Sequence, residues 1–445
     1  MTKLVVLGGG ESGVGTAILG KKLGHDVFLS EFGKITETYK EALLLNDVRH
    51  EDGGHTEQEI VTADIVMKSP GIPDTAPIVT KLLAQKIPVI SEIEYAFKHT
   101  KAITIGITGS NGKTTTTTLT HLLLQKGGSN VGLGGNIGYS FARQVAQENY
   151  DSYVLELSSF QLDGILEYAP HIAVITNISP DHLDRYEYKY EKYIEAKFRI
   201  TMNQTKDDYL IYDADDEEIA KWFKNNNTQA RLVPFSATQV LKEGAYLRNG
   251  TSIEFNINGE SFAIETKDVL LEGKHNFKNV MAAVLVAKLM QVTNLEIGEV
   301  LRSFGGVEHR QEKVRTVENV QYINDSKATN VASAVCGLDA MKTRTVWIVG
   351  GVDKGNDYSE LIPLVREKVT AIICLGVDNR KIIEAFTPIV DVVVEARNMA
   401  EAVVTSQKFA KDGETVLLSP CCASFDLFKN YEDRGRQFKS EVYKL

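Results

Sequence analysis

A chain of 445 residues is too long for one ordinary hydrophobic core, and at about 150 residues per domain it implies about three domains. Its 43% hydrophobic and 24% charged residues fit a globular protein in water, and a formal net charge of −10 excludes a nucleic-acid binder that works by broad electrostatic attraction. No apolar run approaches the ~20 residues of a membrane span. The four scattered cysteines suggest neither a disulfide framework nor a zinc site, and the N-terminus has no signal-peptide pattern, so the expected location is the cytoplasm.

Strand-like runs alternate with helical patterns along the chain, which predicts a parallel α/β architecture. The first block opens on the apolar run Leu4 to Leu7 and continues into Gly8-Gly9-Gly10-Glu11-Ser12-Gly13, a Gly-x-Gly-x-x-Gly turn entering a helix. Glu31 follows a second strand, Asp26 to Ser30, 18 residues after Gly13. This is the pattern of a dinucleotide-binding turn, although any nucleotide-diphosphate ligand could use it. A third strand, Asp64 to Lys68, ends in Ser69-Pro70-Gly71, at the strand end where open α/β sheets place ligands.

The second block begins near residue 94 and holds the most specific motif of the chain. The strand Ala102 to Ile107 runs into Thr108-Gly109-Ser110-Asn111-Gly112-Lys113-Thr114-Thr115. Glycines here allow backbone N–H groups to turn onto a polyphosphate at a helix N-terminus, with Lys113 reaching the β/γ-phosphates and the Thr114 hydroxyl on Mg2+. Ile107 stands where the standard P-loop has its first glycine, so this is a variant loop beginning Thr-Gly. It predicts binding of ATP or GTP.

Glu156 closes a strand from Ser152, and as a strand-end carboxylate it is either an Mg2+ ligand or a helix cap. Ser179-Pro180-Asp181-His182 follows a strand from His171 to Ile178, and His182 is either a surface histidine or a site residue. Lys197 lies in a helical stretch and by pattern alone reads as solvated. After a β-rich piece, Tyr246 to Thr266, an apolar helix opens with Asn276 and Asn279 on one face, placed either to meet a base or ribose or to cap the helix.

The third block starts near Arg302. It carries Glu308-His309-Arg310, Asn324-Asp325-Ser326-Lys327-Ala328-Thr329-Asn330, Gly350-Gly351-Val352-Asp353-Lys354 and Ser419-Pro420-Cys421-Cys422-Ala423-Ser424-Phe425-Asp426. The last three follow apolar strands and read as loops on one sheet edge, where substrate sites are built.

Together, the Thr-Gly-Ser-Asn-Gly-Lys-Thr loop, Glu156-Leu157-Ser158-Ser159-Phe160-Gln161, Asp181-His182-Leu183-Asp184-Arg185, Ala196-Lys197, His309-Arg310, Asn324 to Asn330 and Ser419 to Asp426 resemble the Mur ligase family over essentially the whole chain. The first four recur across that family, and the last two resemble its D-glutamate-adding branch. The resemblance implies three domains, a Rossmann-like one over 1–93, a P-loop one over 94–301 and a second Rossmann-like one over 302–445. It implies an ATP-dependent ligase of peptidoglycan synthesis that joins D-glutamate to UDP-N-acetylmuramoyl-L-alanine.

For the site, the resemblance implies that Gly109, Ser110, Asn111, Gly112, Lys113, Thr114, Thr115, Asn276, Asn279, Arg310, Asp325 and Lys327 serve ATP. Glu11, Ser12, Glu31, Ser69, Pro70, Gly71 and Asn136 would serve the UDP-sugar, and Thr329, Lys354, Ser424, Phe425 and Tyr431 D-glutamate. Two Mg2+ ions would fall to Thr114, Glu156, His182 and Lys197, with Lys197 as a carbamate formed from carbon dioxide. Lys113, His182 and Lys197 would be catalytic. Glu31 stands where the family leads us to expect aspartate. Two rivals fit less: a folylpolyglutamate synthase would carry its P-loop near the chain start, and an NAD-binding dehydrogenase leaves the P-loop unexplained.

Overall fold

The computed structural model describes every residue except Lys354 and, within the helix Val331–Asp339, the side chain of Ala332. The described residues form three sheets of five, nine and six strands, distributed over two compact units, Met1–Phe304 and Gly305–Leu445. None of the described helices is long and apolar enough to cross a membrane.

In the first unit, five parallel strands lie in the order Arg49–Asp52, Asp26–Glu31, Lys3–Leu7, Ile65–Lys68, Val89–Ile90. Leu4, Val5, Val6 and Leu7 are all fully buried, as expected of a central strand covered on both faces. The chain leaves Lys3–Leu7 toward one side and later returns to its other side, which opens a crevice at the strand ends, under Gly8 and Ser69. The short strand Arg49–Asp52 escapes the sequence reading because it carries only charged residues and a histidine. Glu31 is the last residue of its strand and not the residue beyond it.

The helix Glu11–Lys22 packs on the helix Phe141–Gln147 of the nine-stranded region. Their approach depends on a missing side chain: a Cβ at Gly15 would lie 1.9 Å from Ser140 Oγ. The short helix Glu92–Phe97 adds two buried carboxylates to the same junction. Glu92 accepts from Ser140 Oγ at 2.6 Å and Ala142 N at 3.0 Å, while Glu94 accepts from the backbone N–H groups of Leu166, Glu167 and Tyr168.

In the nine-stranded sheet Ile103–Thr108 lies third from one edge, flanked by Ser152–Glu156 and Ile172–Ile175, with all three strands parallel. Register pairs Ile107 with Glu156 and Thr108 with Ile175, so three strand ends open at one level beside Gly109. The strand predicted over His171 to Ile178 covers only Ile172–Ile175, because Thr176 to Ser179 turn instead onto the P-loop. The expected β-rich piece is the antiparallel meander Gly244–Arg248, Ser252–Ile257, Glu260–Glu265 at the sheet edge. The helix Lys274–Leu289, buried without interruption from Asn279 to Ala287, packs on the P-loop helix Lys113–Lys126.

The second unit is a six-stranded sheet in the order Glu312–Val317, Val320–Asn324, Thr415–Leu418, Thr345–Val349, Val369–Cys374, Val393–Glu395. Only the first pair is antiparallel. The three strands that precede the chemistry-bearing loops are adjacent, with Thr415–Leu418 in the middle.

Candidate active site

The loop Gly109 to Gly112 bends sharply at its two glycines. Gly109 and Gly112 have φ of +144° and +80°, and a Cβ on either would clash, at 2.0 Å from Thr176 Oγ1 and 2.3 Å from Asn279 Oδ1 respectively. Both positions therefore need glycine for conformation and for space. Lys113 Nζ donates to the carbonyls of Gly109 and Ser110, each at 2.8 Å. Asn177 Oδ1 accepts from Asn111 N at 2.9 Å, and Ser110 Oγ donates to Ser179 O at 2.9 Å, so the segment after Ile172–Ile175 splints the loop. Thr114 and Thr115 are buried at the helix start.

Lys197 departs furthest from its sequence pattern. Far from solvated, it is 2% exposed, with Nζ donating to Gly109 O at 2.7 Å and lying 4.5 Å from the Tyr193 ring centroid. Burial first, and the Lys113 ammonium second, hold its pKa well below the ordinary lysine value. The amine is thereby driven toward its neutral, nucleophilic form. Tyr193, which the sequence reading passed over, also meets Ser110 Oγ through its hydroxyl at 3.0 Å. Its signal was present in the spacing, because residues four apart share a helix face.

Glu156, 2% exposed, accepts from Asn136 Nδ2 at 2.8 Å through Oε1, while Oε2 is buried without a hydrogen-bond partner. An orphaned carboxylate oxygen next to a P-loop suits a hard divalent cation. The pairing also places Asn136 beside Glu156. Asn279 is buried against Gly112, where its Oδ1 accepts from Thr116 Oγ1 at 3.3 Å and its amide donates to Asn276 Oδ1 at 3.3 Å. His182 is exposed, in a left-handed conformation with φ of 50°, with its ring edge-on to Phe160 at 5.3 Å. The P-loop, Glu156, Lys197, Asn276 and Asn279 thus form one cluster, and His182 stands at its solvent side.

At the crevice of the five-stranded sheet, Glu31 Oε2 accepts from Gly9 N and Oε1 from Gly33 N, both at 2.7 Å. Ser69 sits against Gly8, and its Oγ is buried without a hydrogen-bond partner. Glu11 turns from the crevice toward the neighbouring helix, pairing with Arg143 at 3.3 Å and accepting from Ser140 N. Ser12 uses its carbonyl for Thr16 Oγ1. Pro70 and Gly71 offer their carbonyls to Arg185 at 3.4 and 3.5 Å.

In the second unit, Asp325 directly follows the strand Val320–Asn324 and is buried. Burial pushes its carboxyl up to about 7, against the opposing pull of Ser419 Oγ, Gln311 N and the Arg310 charge. Lys327 Nζ lies 5.3 Å over the Tyr431 ring. Ser424 is buried, Thr329 is half-buried and Phe425 is 71% exposed. Lys354 lies outside the described residues.

Sequence reasoning missed Arg434, which ties these loops together. It is 1% exposed and donates to Ser326 Oγ, Ser326 O, Cys422 O and Gly350 O at 2.8 to 3.4 Å. One guanidinium thus reaches all three strand-end loops, a task its planar fork of donors suits. Nothing local in Asp433-Arg434-Gly435-Arg436 separates it from a solvated helical arginine.

Three family models match the chain: the MurD N-terminal domain over residues 3–77, the Mur ligase middle domain over 107–287, and the Mur ligase glutamate ligase domain over 309–422. A protein of Christiangramia forsetii named UDP-N-acetylmuramoylalanine--D-glutamate ligase is 57% identical over 443 residues, covering 100% of this chain and 99% of that one. A protein of the same name from Bacteroides fragilis is 49% identical, with complete coverage of both chains. Among solved structures, UDP-N-acetylmuramate-alanine ligase MurC from Thermotoga maritima matches with a TM-score of 0.62 at 18% identity, over 100% of this chain and 99% of that one. A pseudomurein peptide ligase type C from Methanothermus fervidus matches at 0.60 and 19% identity, over 100% of both chains. At that identity the two structures speak to the fold alone.

Proposed function

The chain belongs to the Mur ligase family, and from that premise we propose that it is the ATP-dependent ligase that joins D-glutamate to UDP-N-acetylmuramoyl-L-alanine in peptidoglycan synthesis. The observation that carries the chemistry is the cluster around Gly109: Lys113 and Lys197 both donate to its carbonyl, beside a buried carboxylate with a free oxygen on Glu156. The domains are assigned to 1–93, 94–301 and 302–445.

In this reading the terminal carboxylate of the UDP-sugar substrate attacks the γ-phosphorus of ATP, giving an acyl phosphate and ADP. The amine of D-glutamate then attacks the acyl carbon, losing a proton, and phosphate leaves as the amide forms. The chain's work is to place and neutralise charge. The start of the helix Lys113–Lys126, with the loop N–H groups that Asn177 does not already hold, binds the phosphates, and Lys113 exchanges its loop carbonyls for phosphate oxygens. Thr115, Asn276 and Asn279 serve the nucleotide, as do Arg310, Asp325 and Lys327. The UDP-sugar is held by Glu11, Ser12, Glu31, Ser69, Pro70, Gly71 and Asn136. D-Glutamate is held by Thr329, Lys354, Ser424, Phe425 and Tyr431.

Two Mg2+ ions, when bound, neutralise charge on the transferring phosphoryl group. The residues fit them in kind: Thr114 offers a hydroxyl, Glu156 an unsatisfied carboxylate oxygen and His182 an exposed imidazole. Lys197 fits as a carbamate, since a buried amine held toward neutrality can attack carbon dioxide and become an anionic oxygen ligand. His182 serves as a metal ligand; only an imidazole not bound to the metal could instead take the amine proton.

The test is ADP release. It should require UDP-N-acetylmuramoyl-L-alanine, D-glutamate and Mg2+ together, and equal turnover with L-glutamate or L-lysine would overturn the assignment.

A further inference from the structure

Between the two ligand sites of the first unit, His182 belongs to a stack with Phe160, Arg185 and Tyr186, three side chains without a role in the reading above. Phe160 lies in the short helix Ser159–Asp163, four residues beyond Glu156, and its half-buried ring is a meeting point. The Arg185 guanidinium sits over one face with Cζ 4.4 Å from the centroid. The His182 ring meets Phe160 edge-on at 5.3 Å, and the Tyr186 ring stacks on it at 6.0 Å. Tyr186 is pinned in turn by its hydroxyl donating to Asp163 Oδ2 at 2.8 Å.

Arg185 extends the stack to the other site. Its two terminal nitrogens point at separate carbonyls of the crevice turn, Pro70 O at 3.4 Å and Gly71 O at 3.5 Å. The planar fork of a guanidinium suits both tasks, a cation over a ring and two carbonyls at its tips. The segment from His182 to Tyr186 therefore rests with one surface on the helix that follows Glu156 and with the other on the turn after Ile65–Lys68. The left-handed φ of His182 and of Glu187, 50° and 55°, shows that the surrounding contacts hold both ends of this turn in a conformation that non-glycine residues rarely adopt.

We propose that Phe160 and Arg185 are positioning residues whose stack locks His182 to the turn Ser69–Gly71, so that acceptor binding at the crevice and the geometry of the metal-ligand cluster are set together. The inference rests on the ligase reading for the names of the two sites, but the lock itself is a property of the chain. Arg185→Met keeps the apolar stem and loses both the fork and the stacked cation; Phe160→Leu keeps bulk and loses the ring face. Phe160→Trp keeps the face.

In steady-state ADP release, Arg185→Met and Phe160→Leu should each raise KM for the UDP-sugar about 5- to 20-fold and raise the Mg2+ concentration for half-maximal rate, with KM for ATP within about twofold of wild type. The double variant should be no worse than the poorer single one, because both changes break one contact. Phe160→Trp should stay near wild type. Additive losses, an ATP KM that rises in step, or unchanged UDP-sugar KM and Mg2+ dependence would overturn the proposal.

Hydrogen exchange without ligands separates this from failure of the ligase reading. Amides from Ser69 to Ile72 should exchange faster in Arg185→Met than in wild type, while those of Lys113–Lys126 should not change. Unaltered exchange at the turn would remove the lock whatever reaction the protein catalyses.

Discussion

Lys197 Nζ donates to Gly109 O across 2.7 Å in a site where the lysine is 2% exposed. An ammonium so placed has a desolvation cost that one carbonyl and the Tyr193 ring do not offset. Lys197→Ala should abolish turnover through loss of a ligand and not through loss of charge. Acetate should restore part of the rate by returning a carboxylate oxygen to the vacated space, whereas alkylamines should do nothing. Rescue by amines alone would overturn the carbamate role.

The same burial has a pH signature. Because the folded-state pKa of Lys197 is depressed, the unfolded chain binds the extra proton between that pKa and the ordinary lysine value near 10.5. Wild-type stability therefore rises with pH through that window, and Lys197→Met should lose this rise. Denaturant titrations in buffers freed of carbon dioxide, compared between about pH 7 and 9, would show it.

Lys113 spends its charge on two loop carbonyls. Lys113→Ala should lose transition-state stabilisation of ~3–4 kcal/mol or more. Near-normal turnover in a folded variant would mean that this loop does not handle the reacting phosphates.

Glu92 offers a stability test remote from the chemistry. Burial raises its carboxyl to about 7, in spite of the Ser140 and Ala142 donors, with Glu11 nearby pushing in the same direction. A raised acid favours folding fully below its unfolded pKa, near 4.5, and loses that advantage as pH rises through about 7. Glu92→Gln keeps an oxygen acceptor for both donors and cannot ionise. It should match wild type near pH 5 and exceed it by ~1–3 kcal/mol near pH 8. Equal pH slopes for the two proteins would show that Glu92 does not titrate in this range.

Arg434→Met keeps volume but strips donors from Ser326, Gly350 and Cys422. Leaving those buried acceptors unpaired should cost ~2–4 kcal/mol. The loss should appear in denaturant unfolding monitored on Gly305–Leu445, and Arg434→Lys should recover little of it.

The P-loop, the glycine turn and the strand-ended loops were legible because each is local: consecutive residues supply the φ values, the helix terminus and the polar groups. Lys197 and Arg434 were not. On a linear reading each is a basic residue in a helix with charged neighbours, and burial is settled by what other elements bring. For Lys197 that is the carbonyl of a loop 88 positions earlier in the chain; for Arg434 it is three loops from separate strands. Glu92 and Glu94 were missed for the same reason, since a buried carboxylate is recognisable only once its donors are known.

Apolar runs, their alternation with helical periods, and glycines at strand ends were enough to indicate parallel α/β sheets, a glycine loop at a helix start and the family resemblance, because backbone geometry and strand burial are governed by near neighbours. Sheet order settled the rest. Placing Ile103–Thr108 between Ser152–Glu156 and Ile172–Ile175 is what delivers Glu156 and the Thr176 to Ser179 splint to one loop. Packing of Tyr190–Phe198 then buries Lys197 beside it. Ionisation and metal affinity follow from desolvation and from the groups that share the space, and those are long-range properties that no window of sequence contains.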